Sequence, residues 1–141
     1  MAHSRTAQPV HCPLEHGLSI FGGKWKARII CVLAEKSPMR YSDIRRNMVN
    51  ITDAVLANTL KDLIASGMAE REQYDEIPPR VEYRLTEKGL SVLPILRSIC
   101  SWSAAHDEPW SRLNMQPAFE HCLNCRYRLA AAGCSASRPE A

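Results

Sequence analysis

"YSDIRRNMVNITDAVLANTLKDLIASG", residues 41–67, decides what kind of fold this chain builds. Its apolar residues recur at helical spacing in two groups: Tyr41, Ile44 and Met48, then Leu56, Leu60, Leu63 and Ile64. That spacing puts each group on one face of a helix. Ser42 and Thr52 carry hydroxyls suited to helix starts, because each accepts from a backbone N–H that the first turn leaves unbonded. Gly67 closes the second helix, since glycine enters the left-handed conformation without steric cost. Two short helices joined by a tight turn make a helix-turn-helix, whose second helix offers its early exposed residues to a DNA major groove. The capping Thr52 and the exposed Asp53, Ala54, Ala57, Asn58 and Lys61 then form the presented face. Asn58 has the amide that pairs with adenine, and Asp53 and Lys61 are in reach of bases or phosphates.

Upstream, "KWKARIICVLAEK" (24–36) repeats Trp25, Ile29, Val32 and Leu33 at helical spacing and is closed by Ser37-Pro38. Before it, Leu14, Leu18 and Phe21 fit a two-turn helix that stops at Gly22-Gly23. Cys12 occupies the capping slot of that helix, Pro13 its first position and Glu15 its third, the spacing of a capping box with sulfur in place of a hydroxyl. Sulfur is a poor cap, so the thiol asks for another explanation.

Downstream of Gly67 the period changes from helical to alternating. "MAEREQY" (68–74) and "RVEYRL" (80–85) read as two strands, with Val81, Tyr83 and Leu85 on one face. "DEIPP" joins them into a hairpin. A hairpin after a recognition helix suggests a wing, with Arg80 placed to touch a phosphate or the minor groove, although Arg80 and Arg84 also have Glu70, Glu72 and Glu82 as cross-strand partners. Thr86 caps one long helix, 87–106, kinked at Pro94. Its apolar residues form two stripes, Leu90, Leu93 and Leu96, then Val92, Ile99 and Trp102, and a second stripe asks for a packing partner such as another subunit.

The whole chain has 141 residues and a net charge of +3, with 18 basic and 15 acidic residues. A single domain is expected at this length. The charge is concentrated: residues 22–46 hold seven basic residues against two acidic ones, a surplus of +5. Lys24, Lys26, Arg40, Arg45 and Arg46 are accordingly candidate phosphate contacts. No apolar run approaches membrane-spanning length and "MAHSRTAQPV" has no signal-peptide core, so a cytoplasmic protein without a membrane partner is expected. There the six cysteines rest as thiols. No phosphate-binding glycine loop or Ser/His/Asp arrangement is present, and neither an enzyme nor a cofactor is expected.

The succession "CPLE" (12–15), "GGKWK" (22–26), "RYSDIRRNM" (40–48), "LANTLKDLIASGM" (56–68), "PPRVEYRLTEKG" (78–89) and "LRSICSW" (96–102) resembles the HxlR family of bacterial winged helix-turn-helix regulators. The likeness covers about residues 11–105. It implies a mainly α fold with a small β-hairpin, a homodimer with helices from both ends of the chain at its interface, and a palindromic operator in double-stranded DNA. It further implies a recognition helix over 53–66, a wing around Pro78, Pro79 and Arg80, and an oxidant- or electrophile-sensing cysteine at the position of Cys12. The expected organisation is a flexible N-terminus over 1–10, the winged domain with its dimerisation helices over 11–106, and a C-terminal extension over 107–141.

The position of Cys12 suits sensing on physical grounds as well, because a helix N-terminus favours thiolate and protonated His11 or His16 would help, against Glu15. Oxidised Cys12 would condense with another thiol, for which Cys100 of either subunit is a candidate, with a plain core role as its alternative. In the extension, "EHCLNCRYRLAAAGC" sets Cys122 and Cys125 at the gap of zinc sites and redox dithiols, with His121 and Cys134 as weak further ligands. The second ligand pair is incomplete, so no metal is assigned. Two other readings stand beside a redox-responsive regulator: a regulator controlled by a small ligand at the dimer interface, and a thiol-disulfide oxidoreductase using Cys122 and Cys125.

Overall fold

A computed structural model describes residues 12–48 and 50–106. His11 and the extension, with His121, Cys122, Cys125 and Cys134, lie outside the described residues, as do the proposed boundary segments 1–10 and 107–141. The elements run α1 (Pro13–Phe21), α2 (Lys26–Glu35), β1 (Met39–Arg40), α3 (Tyr41–Asn47), α4 (Asp53–Ala65), β2 (Ala69–Tyr74), β3 (Arg80–Leu85), α5 (Glu87–Ser91) and α6 (Leu93–His106). The fold is mainly helical with a small antiparallel sheet.

α2 is the central helix. Ile29, Ile30, Val32 and Leu33 are all buried, and around them pack Ile44 and Met48 from α3 and its end and Leu56, Leu60 and Leu63 from α4. Gly23 joins α1 to α2 at φ 88°, a conformation that a Cβ would strain. Between α3 and α4 the sharp turn is made by Asn50 at φ 63°, asparagine being one of the few side chains that tolerate it.

The sheet has three strands in the order β1-β3-β2, one more than the hairpin read from the sequence. The added strand is two residues long, with Met39 opposite Tyr83 and Arg40 opposite Glu82. β2 and β3 pair from Ala69 opposite Leu85 to Tyr74 opposite Arg80.

Two expectations about helix ends are corrected. Ser42 does not cap α3: the helix already includes Tyr41, and Arg40 precedes it with φ −78° and ψ 156° and no side-chain cap. Arg40 is held extended by its pairing with β3, so the chain turns helical directly at the end of the strand. The single helix over 87–106 is two helices, broken at Val92. Pro94 would remove an N–H and clash with the preceding turn inside a continuous helix, whereas in the first turn of α6 it costs nothing. The break also redistributes the stripes, for Val92 and Leu96 join the core while Leu90, Ile95, Ile99 and Trp102 are exposed.

Candidate nucleic-acid interface

Thr52 stands just before α4 in extended conformation and its hydroxyl accepts from the backbone N–H of Val55 at 3.2 Å. This fixes where α4 begins. Leu56, Thr59, Leu60 and Leu63 face the core, and the Thr59 hydroxyl is satisfied by donating to the Val55 carbonyl at 2.7 Å. The helical period then turns the other face outward: Asp53, Ala54, Asn58 and Lys61 are exposed and Ala57 is half-buried.

The entry of α4 is tied to α3. Arg45 Nε donates to Asp53 Oδ1 at 2.9 Å across the turn, and the Tyr41 hydroxyl donates to the Asp53 backbone carbonyl at 3.1 Å. Burial first, and then the negative Asp53, raise the Tyr41 phenol above its ordinary value of 10.0. Tyr41 was legible only as an inward-facing residue, and its hydrogen bond to the start of α4 was missed.

The exit of α4 is tied to α5. Thr86 has two tasks: its hydroxyl donates to the Gly67 carbonyl at 2.5 Å and accepts from the Gly89 N–H at 3.1 Å. Lys88 Nζ donates to the Ser66 carbonyl at 2.7 Å, placing a cation at the helix C-terminus, where the helix dipole favours it.

The basic candidates separate into two groups. Arg40, Arg45 and Arg46 surround the helix-turn-helix, with Arg46 also 3.5 Å from Asp43. Lys24 and Lys26 make their contacts at the α1–α2 junction: Lys24 lies over the Trp25 ring at 4.7 Å, and Lys26 donates to the Ser19 carbonyl at 3.0 Å. Arg28 also lies over the Trp25 ring, 5.4 Å from its centroid.

On the hairpin, Arg80 stacks over Tyr74 at 4.0 Å and pairs with Glu76 at 3.2 Å and Glu82 at 3.7 Å. Arg84 pairs with Glu70 and Glu72. The cross-strand pairing weighed from the sequence therefore holds for Arg84 alone, while Arg80 takes Glu76 of the connecting loop and Glu82 of its own strand, contacts that pre-orient it as well as shielding it. Arg80→Ala is expected to weaken binding to duplexes of every sequence by a similar factor and to lower the salt slope by about one. Titrations of two unrelated duplexes check this, and unchanged affinity would leave the hairpin a purely structural role.

Cys12 is exposed at the start of α1, in extended conformation, and its side chain makes no capping hydrogen bond. Leu14 and Leu18 of the same helix are exposed too. Cys100 on α6 and Cys31 on α2 are half-buried thiols, the latter given no role by the sequence. Among the described residues no group of three or more His, Cys, Asp or Glu is placed to hold a metal ion, and no helix is long and apolar enough to cross a membrane.

Comparison with known proteins agrees with this geometry. The model of the HxlR-like helix-turn-helix family matches residues 20–110. An uncharacterised HTH-type transcriptional regulator of Methanothermobacter thermautotrophicus is 47% identical over 91 residues, spanning 64% of this chain and 69% of the relative. The regulator YkvN of Bacillus subtilis is 40% identical over 97 residues, 69% of this chain and 81% of its own. Among solved structures, the redox regulator HypR in its oxidised form superposes with a TM-score of 0.63 at 35% identity, covering 69% of this chain and 99% of that one. The reduced form of the transcriptional regulator YodB from B. subtilis gives 0.63 at 32% identity, covering 70% and 97%. The winged helix-turn-helix, the presented face of α4 and these likenesses converge, and the chain belongs to the HxlR-like helix-turn-helix family of DNA-binding transcriptional regulators.

Proposed function

We propose that the protein is a homodimeric regulator that binds a palindromic operator through α4 and the wing and answers to oxidants or electrophiles through Cys12. The observation that carries the redox part is the exposure of the Cys12 thiol at the N-terminus of α1, free of any capping duty. Its likeness to HypR, solved oxidised and reduced, and to YodB, solved reduced and after diamide treatment, supports the same reading. Dimerisation is supported by apolar side chains left open at both ends of the described chain: Leu14 and Leu18 on α1, Leu90 on α5, and Ile95, Ile99 and Trp102 on α6. Exposed apolar groups in this number favour association.

In this reading a hydroperoxide transfers one oxygen to the Cys12 thiolate, giving a sulfenic acid and an alcohol or water. The Cys100 thiol then attacks the sulfenic sulfur, forming a disulfide and releasing water. Such a bond across the dimer would turn the two recognition helices relative to one another and change the half-site spacing that they fit.

The test measures affinity for DNA from immediately upstream of the gene, with reduced and mildly oxidised protein. A change in Kd of about tenfold or more is expected, comparable to allosteric couplings in general, and Cys12→Ser should abolish it. Affinity indifferent to oxidation would remove Cys12 from the mechanism and leave the DNA-binding assignment standing. Light scattering should give twice the 15.9 kDa chain mass.

A further inference from the structure

The exposed residues of α4 carry one cation, Lys61, and two carboxylates, Asp53 at its start and Asp62 in its last turn. Lys61 is exposed toward its middle, while Asp53, the first residue, carries a side chain that is 77% exposed. A carboxylate in the first turn strengthens the helix. It also stands where backbone N–H groups would otherwise welcome a phosphate. Its charge is engaged within the fold, since Oδ1 takes Arg45 Nε at 2.9 Å and Tyr41 pins the carbonyl of the same residue. Arg45, with its side chain 42% exposed, is thus a cation beside the recognition helix whose charge is already balanced. An exposed pair of this kind adds little to folding stability, so stability alone is a weak reason for it.

We infer that Asp53 is a specificity-determining residue, which holds Arg45 and repels phosphate so that duplex DNA of arbitrary sequence is bound less well than the basic surface would otherwise allow. The inference rests on the DNA-binding assignment and is independent of Cys12. Discrimination is a difference of affinities, and a repulsive element widens it by weakening the wrong complexes. A phosphate that takes Arg45 must break the ion pair and leave a carboxylate beside itself. A cytosine opposite Asp53 reverses the balance, because its N4 amino group donates to the carboxylate.

The experiment titrates a random-sequence duplex, at several salt concentrations, with the wild type, Asp53→Asn, Asp53→Glu, Arg45→Gln and the Asp53→Asn/Arg45→Gln double variant. Asparagine keeps the shape and the acceptor but removes the charge. Asp53→Asn is expected to bind the random duplex about 3- to 10-fold tighter, with a slope of log K against log salt steeper by about 0.9 for each protomer engaged. Asp53→Glu should behave as the wild type, Arg45→Gln should differ little from it, and the double variant should lose the gain. A purely structural role would lower the thermal midpoint without moving the salt slope. Equal or weaker binding by Asp53→Asn at unchanged slope would overturn the inference alone, as would a loss of random-duplex affinity in Arg45→Gln as large as that of an unpaired cation. Failure of the wild type to bind any duplex would overturn it together with the DNA-binding assignment.

Discussion

DNA affinity is expected to fall by about three to five orders of magnitude between about 50 and about 200 mM salt. The cations around the helix-turn-helix and wing account for this size. Lys36, Arg40, Arg46 and Lys61 are exposed and Arg80 is half-buried, while Arg45 is held by Asp53. Engagement of about three to five of them by each protomer would give the proposed two-fold dimer about six to ten phosphate contacts, each releasing condensed counterions whose gain vanishes as bulk salt rises. Fluorescence anisotropy over a salt series measures the slope directly. A slope shallower than about −3 would mean that Asp43, Asp53, Glu76 and Glu82 keep most of these cations for themselves.

Gly89→Ala is expected to destabilise the fold by about 2–4 kcal/mol, although alanine is the better helix former by about 1 kcal/mol. The steric effect wins because of what the new methyl group would meet. A Cβ at Gly89 would lie 2.0 Å from the Met68 carbonyl oxygen and 3.1 Å from Leu85 Cδ2. The first of these is backbone and cannot rotate away. α5 would have to lift off the end of α4, stretching the Thr86 N–H bond to the same Met68 oxygen, 3.1 Å, and the contacts of Thr86 and Lys88 with Gly67 and Ser66. Urea unfolding checks it: the midpoint should fall with the slope unchanged. A midpoint equal to the wild type would show that α5 is not anchored at this point.

The elements legible in the sequence were those specified by neighbours in the chain. Thr52 and Gly67 delimit α4 through contacts three or so residues away, and the alternation over 80–85 announces a strand without knowledge of its partner. Where the determinant is distant, the sequence was silent. A two-residue strand such as β1 exists only because β3 pairs with it, and that same pairing moved the start of α3 away from Ser42. Pro94 signalled a disturbance, but a kink and a break differ only in where the preceding helix is anchored, which here is the Gly89–Met68 seam. For the interface, the spacing within α4 identified which residues face outward. The ion pair of Asp53 with Arg45 depends on the angle of the turn between two helices, which no local pattern encodes.

Because β3 is flanked on both sides, the free edges of the sheet among the described residues belong to β1 and β2. An unpaired edge invites a strand from another molecule, the first step of edge-to-edge aggregation. β1 is too short to accept one, and β2 presents Glu70, Arg71, Glu72 and Gln73 as four consecutive exposed polar side chains. Among the described residues neither edge therefore offers a long apolar template to a strand of another molecule.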